Sequence, residues 1–298
     1  MDITAKGITI MKISELLKSG KVTVSCELFP PKQDGDIDKV QEVVREITAL
    51  KPDFMSVTYG AGGGTSENTT RIAADIQNHG VTALAHLTCV SSTKQEVGRV
   101  LSTLKDNHVD NILALRGDIP QGANFPSPQQ YHYASELVRE IKASGDNFCI
   151  GAACYPEGHV ECARKEDDIN YLKQKVDSGC DFLTTQMFFD NNVLYNFLYR
   201  VLAKGITVPV VAGIMPVTNS KQIQRICALS GTALPPRFKA IVDKFADKPA
   251  AMKQAGIAYA TEQIIDLISN GVSAVHIYTM NKPDIAGKIM DNLSEIIR

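Results

Sequence analysis

Three observations predict a single (β/α)8 barrel. Eight strand-like runs alternate with helix-length amphipathic segments along the whole chain, which is the repeat of that fold. The runs are continuously apolar, as parallel strands buried on both faces are. The length of 298 residues suits one barrel of about 250 residues with modest extensions. A doubly wound open sheet is the alternative use of the same repeat.

The runs are VTVSCELFP (22–30), DFMSVTYG (53–60), VTALAHLTC (81–89), NILALRGD (111–118), CIGAACYP (149–156), FLTTQMFF (182–189), VPVVAGIMP (208–216) and AVHIYTMN (274–281). Each is followed by a segment with helical spacing of its apolar residues. Residues 1–20 form an N-terminal extension and 21–298 the barrel; no Pro/Gly/Ser-rich linker marks a second domain. MKISELLKSGK reads as a first helix, and Met11, at its head, competes with Met1 as the start. The loop QGANFPSPQQ after strand four and segment 231–250, before the long helical stretch leading to strand eight, are places for lids or subunit contacts.

With 31 basic and 33 acidic residues the formal charge is −2, without a long run of one sign. That argues against nucleic acid and anionic membrane as partners. No stretch approaches the roughly 20 apolar residues of a membrane span, and MDITAKGITIM lacks the apolar core and cleavage site of a signal peptide. A cytoplasmic protein is expected. The seven cysteines (26, 89, 149, 154, 162, 180, 227) include no C-x-x-C pair, so neither a disulfide framework nor a zinc site is indicated. Cys26, Cys89 and Cys154 with His86 allow a metal reading, against which stands burial, the usual fate of a free cysteine.

Barrel enzymes keep their chemistry at the C-terminal ends of the strands. The polar residues interrupting those ends are Glu27, Thr58, Tyr59, His86, Thr88, Arg116, Asp118, Tyr155, Gln186, Tyr278, Asn281 and Lys282. Burying such groups unpaired costs about 1–3 kcal/mol each. Each has an ordinary structural reading: Arg116 and Asp118 as an ion pair capping the barrel, His86 as a hydrogen-bonded core residue, Tyr155 as packing. Gln186, between Thr185 and Met187 in an apolar run, has the least structural reason to be there and reads as a ligand contact. The glycine cluster YGAGGGT (59–65) lets backbone approach a ligand, but it is not a dinucleotide fingerprint, since it follows the second strand and ends in Thr65.

CELFPP, MSVTYGAGG, AHLTC, ALRGD, YPEGH, LKQKVDSG, TTQMFFD, GIMPV and HIYTMN, in this order from about residue 20 to 298, resemble the bacterial methylenetetrahydrofolate reductases. The resemblance implies a (β/α)8 barrel carrying FAD, with FMN as the alternative. It implies hydride transfer from NAD(P)H to 5,10-methylenetetrahydrofolate, giving 5-methyltetrahydrofolate for one-carbon metabolism and methionine biosynthesis. It further implies a homo-oligomer, and 298 residues leave no room for the regulatory domain of the larger eukaryotic members. By the same resemblance Glu27 is the general acid and Asp118 the carboxylate beside flavin and pterin. Thr58, Tyr59, His86, Arg116, Gly117, Asp118, Ala134, Tyr155, His159, Asp168 and Lys175 line the flavin site. Gln186, Gln222 and Lys282, with Glu27, meet the substrate. No metal is implied.

The chain departs from the enterobacterial pattern at Tyr171 (asparagine there), Gln174 (arginine), Ile226 (a stacking phenylalanine) and Lys282 (arginine). Flavin identity and electron donor are thereby less fixed than the reaction, and a partner electron-transfer protein is the alternative to free nicotinamide. No arginine clamp for a 2′-phosphate is legible, which favours NADH over NADPH.

The chemistry accounts for these residue types. The imidazolidine ring of the substrate must open before hydride can attack, and opening needs a proton at N10. Glu27 is expected to supply it, kept from water by Cys26, Leu28 and Phe29. Asp118 is expected to stabilise the N5 iminium cation that opening leaves. One mouth serving both substrates in turn implies ping-pong kinetics. The competing readings are a pterin-binding methyltransferase barrel without flavin and a barrel subunit acting as a scaffold in a larger complex.

Overall fold

The computed structural model describes residues 2–3, 9–31, 37–59, 66–90, 92–119 and 125–297. Most of the glycine cluster, the first residues of the QGANFPSPQQ loop and Met1 lie outside the described residues.

Eight parallel strands close into a barrel in sequence order: β1 (Thr23–Leu28), β2 (Phe54–Val57), β3 (Thr82–Thr88), β4 (Asn111–Leu115), β5 (Cys149–Cys154), β6 (Phe182–Thr185), β7 (Val210–Ile214) and β8 (Ala274–Tyr278). The ring is sealed where β8 pairs with β1, in a register that sets Ala274 beside Thr23 and Tyr278 beside Glu27. The open-sheet alternative is therefore excluded. The strands stop short of the apolar runs that announced them, because chain beyond each C-terminal end turns into the barrel mouth.

Strand alternation sorts the side chains. Phe54, Leu84, Leu113, Cys149, Phe182, Val211 and Ala274 fill the lower interior, and Ile13 from the short helix Ile13–Leu16 closes the N-terminal end against them. Val24, Cys26, Leu28, Ala83, Leu87 and Cys154 face outwards into the main core under the helices. Those helices are α1 (Ile37–Ala49), α2 (Ser66–Asn78), α3 (Lys94–Asp106), α4 (Ala134–Ala143), α5 (Lys165–Asp177), α6 (Asn191–Ala203), α7 (Ser220–Ser230), α8 (Pro236–Lys244), α9 (Pro249–Ser269) and α10 (Pro283–Asn292). Their start signals are local: Thr93 and Glu96 form a reciprocal capping box at α3, and Asp190 and Asn219 cap α6 and α7.

Two extensions differ from expectation. The N-terminal segment carries a small antiparallel ribbon, Asp2–Ile3 with Thr9–Ile10, and its helix spans four residues rather than all of MKISELLKSGK. Segment 231–250 contributes α8, which buries Phe238 and Val242 in a second core with Met187, Phe189, Val217, Ile223 and Met252. Phe238 stacks on Tyr259 of α9 at 3.9 Å and meets Phe189 at 5.2 Å. This helix packs behind Val217 and Ile223. Among the described residues no helix is long and apolar enough to cross a membrane.

Candidate active site

Glu27 is the inward-facing residue near the end of β1 and is 7% exposed. Its Oε2 lies 3.7 Å from His86 Nε2 on β3 and 3.8 Å from His276 Nε2 on β8. Cys26 and Leu28 do not enclose it as expected; a strand sends successive side chains to opposite faces, and both point into the outer core. His86, His276 and Tyr278 surround it instead. Below, Ser25 and Ser56 hold the His276 ring at 2.7 and 3.2 Å. Burial drives the His86 imidazole down to about 4, helped by His276 and opposed by Glu27, so the ring is neutral at neutral pH. The same alternation keeps Cys26, Cys89 and Cys154 on the outer face, away from His86. Burial pushes their thiols up to about 12, 11 and 12, and this removes the metal reading.

The arc of β4, β5 and α5 gathers a second group. Arg116 does not pair with Asp118: its two terminal nitrogens bind both oxygens of Glu161 at 2.6 and 2.7 Å. Gly117, at φ 85°, turns the chain so that Asp118 stands exposed at the rim. Tyr155 meets His159 edge-on at 4.6 Å, and burial lifts its phenol to about 12. Burial, then Arg116, lowers the His159 imidazole. Asp168 on α5 accepts the His159 backbone N–H, while burial raises its carboxyl. Lys175, seven residues further along the helix, donates to the Ala153 carbonyl at 2.5 Å, and burial lowers its ammonium.

Gln186 lies between this arc and the next. Its backbone N–H reaches Cys154 O at 2.7 Å and its side-chain oxygen takes the Met187 N–H at 3.0 Å, leaving the amide NH2 for a ligand. On the β7–β8 arc Lys282 donates to Thr218 at 2.9 Å. Thr218 shares with exposed Gln222 and with Ile226 and Met280 the lining of a shallow cleft. Thr58 accepts a hydrogen bond from Thr69 on its carbonyl, and the Tyr59 hydroxyl meets Ser92 at 2.9 Å. Ala134 opens α4 and has no described contact with the other candidates. Asn281 is a clamp: its side chain bonds both the N–H and the carbonyl of Phe29, at 2.8 and 2.9 Å.

Among the described residues, two buried polar atoms at the base of the mouth have no hydrogen-bond partner: His86 Nε2 and Thr184 Oγ1. Since leaving such atoms unpaired is costly, they fit a site built for a polar ligand.

With that geometry in place, the family profile for methylenetetrahydrofolate reductase matches residues 12–294. The chain belongs to this family. It is 36% identical to "Methylenetetrahydrofolate reductase (NADH) 1" of Zea mays over 96% of this chain and 51% of that one. It is 34% identical to "5,10-methylenetetrahydrofolate reductase" of Escherichia coli (strain K12) over 92% and 91%. The chain thus spans about half the length of the plant relatives. A Clostridium thermocellum protein that binds two copies of 5-methyl-5,6,7,8-tetrahydrofolic acid shares the fold, with TM-score 0.63 and 13% identity over 96% and 99%.

Within this barrel, reading strand ends singled out Glu27, His86, Arg116, Tyr155 and Gln186 as candidates. It did not single out His276, Ser25, Ser56, Thr184 and Glu161, which the structure places beside them. The first four were findable by parity, being two residues from Tyr278, Glu27, Thr58 or Gln186 on their own strands or strand ends. Glu161 was not, because its pairing with Arg116 spans 45 residues.

Proposed function

We propose that the chain reduces 5,10-methylenetetrahydrofolate to 5-methyltetrahydrofolate with hydride drawn from NADH through a bound flavin. FAD is the flavin favoured, with FMN as the alternative. The observation that carries this reading is the buried Glu27 carboxyl at the end of β1, facing two imidazoles inside the mouth. A carboxylic acid in that position can deliver a proton to N10 of the folate and open its ring. Asp118, exposed at the rim, supplies negative charge for the iminium cation that follows.

The flavin, when bound, supplies the hydride relay. Arg116, Tyr155, His159, Asp168 and Lys175 would hold it on the β4–β5 side, and the unpartnered His86 Nε2 would offer it a hydrogen-bonding edge. The amide NH2 of Gln186, whose oxygen is held by the Met187 N–H, would meet nicotinamide and folate in turn. One mouth for both favours ping-pong turnover. Lys282 and Gln222 would meet the folate on the β7–β8 side.

The test is Glu27→Gln, followed anaerobically by the flavin absorbance. The variant is expected to bleach with NADH at the wild-type rate and to fail to recolour with methylenetetrahydrofolate, with a loss of about 10²-fold or more. Full recolouring would overturn the assignment of Glu27. A flavin that NADH leaves oxidised but folate reoxidises after chemical reduction would move the electron source to a partner protein. A protein that binds folate but never flavin would favour methyl transfer.

A further inference from the structure

The peptide unit that carries Gln186 is gripped from both sides of its strand. Its N–H donates to the Cys154 carbonyl of β5 at 2.7 Å. The carbonyl of the same peptide, Thr185 O, takes the Tyr278 hydroxyl of β8 at 2.6 Å. This second bond reaches over β7, which lies between β6 and β8 in the ring. In a continued parallel ladder the Gly213 N–H of β7 would go to Thr185 O. It goes instead to the Thr185 hydroxyl at 2.8 Å, and the β6–β7 register ends where Thr184 meets Val211. The carbonyl is thereby freed for Tyr278.

Gly213 is what lets the phenol through. A Cβ there would stand 2.4 Å from Thr185 O, 2.5 Å from the Tyr278 hydroxyl and 2.7 Å from its ring, so a side chain at this position would part the phenol from the carbonyl. The Tyr278 ring is set edge-on against His276 at 5.4 Å and packs on the second core of Met187, Phe189 and Phe238. Burial, then the neighbouring Glu27, raises the phenol well above its ordinary value, which keeps it a donor. Glu27 is also its partner in the β1–β8 register, and is therefore the other residue through which Tyr278 could act.

We propose that Tyr278 is a positioning residue for Gln186: its hydroxyl, admitted by Gly213, caps the Thr185 carbonyl and so fixes the peptide that aims the Gln186 amide into the mouth. With the N–H held on β5 and the carbonyl on β8, the peptide plane is kept from turning. The Gln186 side-chain oxygen is tied back to the Met187 N–H at 3.0 Å, so the NH2 is presented in one direction. A contact that serves two substrates in turn gains from this, because neither substrate has to order the side chain on arrival. The inference rests on Gln186 being the contact for nicotinamide and folate proposed above.

Tyr278→Phe removes one oxygen and keeps the ring. It is expected to raise both the NADH concentration that half-saturates flavin bleaching and the methylenetetrahydrofolate concentration that half-saturates recolouring. Each should rise about three- to tenfold, the worth of one hydrogen bond, with flavin content as in wild type. In a Gln186→Ala background the same change is expected to add less than about twofold, because a residue that acts through Gln186 has nothing left to position there. The full factor in both backgrounds would overturn the inference. A loss confined to the folate step would do so too, since the phenol would then be acting on Glu27. Unchanged constants in both half-reactions would mean that the peptide needs no cap, and loss of flavin from Tyr278→Phe would make its role structural. Gln186→Ala alone keeps the two ideas distinct. If it alters neither half-reaction, the ligand reading of Gln186 fails first; if it weakens both while Tyr278→Phe weakens neither, only the role of Tyr278 falls.

Discussion

At the scale of single residues, the mouth is set by where burial has left polar atoms. His86 is the clearest case, because its imidazole takes a proton at about 4 in the folded protein against 6.5 ordinarily. Above 6.5 the ring is neutral in both the folded and unfolded chain and contributes no pH dependence. As pH falls from 6.5 towards 4 the unfolded chain binds a proton that the folded one refuses, so stability declines across that window. The full loss amounts to about 3 kcal/mol, and His86 is buried enough, at 6% exposed, for solvent screening to take little from it. Urea midpoints measured from pH 7.5 to 4 in wild type and in His86→Gln check this. The variant should show a flatter decline, and an identical slope would mean that His86 does not carry the acid sensitivity.

At the scale of elements, close packing can outweigh local propensity, and two helical glycines separate the effects. Gly256 sits within α9, where alanine is intrinsically better by about 1 kcal/mol. A Cβ there would come within 1.7 Å of the Val217 carbonyl oxygen, backbone to which the helix is pressed. Gly98 in α3 has nothing within 4 Å of an added Cβ. Gly98→Ala should therefore stabilise the protein by about 0.5–1 kcal/mol, and Gly256→Ala should destabilise it by about 1–3 kcal/mol. Denaturant titration of both gives opposite signs if the contact decides, and the same sign if propensity does. Val217 also lines the cleft with Gln222 and Met280, so the Gly256 contact supports one wall of the mouth. Such contacts explain how far the sequence could be read. All eight strands were legible because parallel barrel strands are apolar on both faces. Their ends were not: the run at 182–189 continues past Thr185 because Met187 and Phe189 enter the second core beside α8. Periodicity cannot distinguish a strand that ends from an apolar loop with its own core. Glu27 and Gln186 were legible as polar interruptions of apolar runs, whereas His276 and Thr184 passed as strand residues because their importance lies in which side of the barrel they face.

At the scale of the whole molecule, the two ends of the barrel do different work. The mouth keeps unpaired polar atoms, while the opposite end is closed by a plug from far away in the chain. Ile13 is fully buried, packs with Phe54, Leu84, Leu113, Phe182 and Val211, and donates its N–H to Asn111 Oδ1 at 2.8 Å across 98 residues. Asn111 in turn donates to the Ala83 carbonyl at 3.2 Å, tying the plug to β3 and β4 together. Truncating such a side chain removes apolar burial and leaves a cavity bounded by closed strands that have little freedom to collapse, at about 2–5 kcal/mol for isoleucine to alanine. Every strand of the ring pairs with both neighbours, so that loss belongs to one cooperative unit. Ile13→Ala should lower the midpoint of a single unfolding transition while leaving the proposed activity as in wild type, because the plug and Glu27 lie at opposite ends of the strands. An unchanged midpoint would mean that the barrel closes without its plug. A separate early transition would mean that residues 9–20 unfold on their own, and that the sealed ring alone holds the site together.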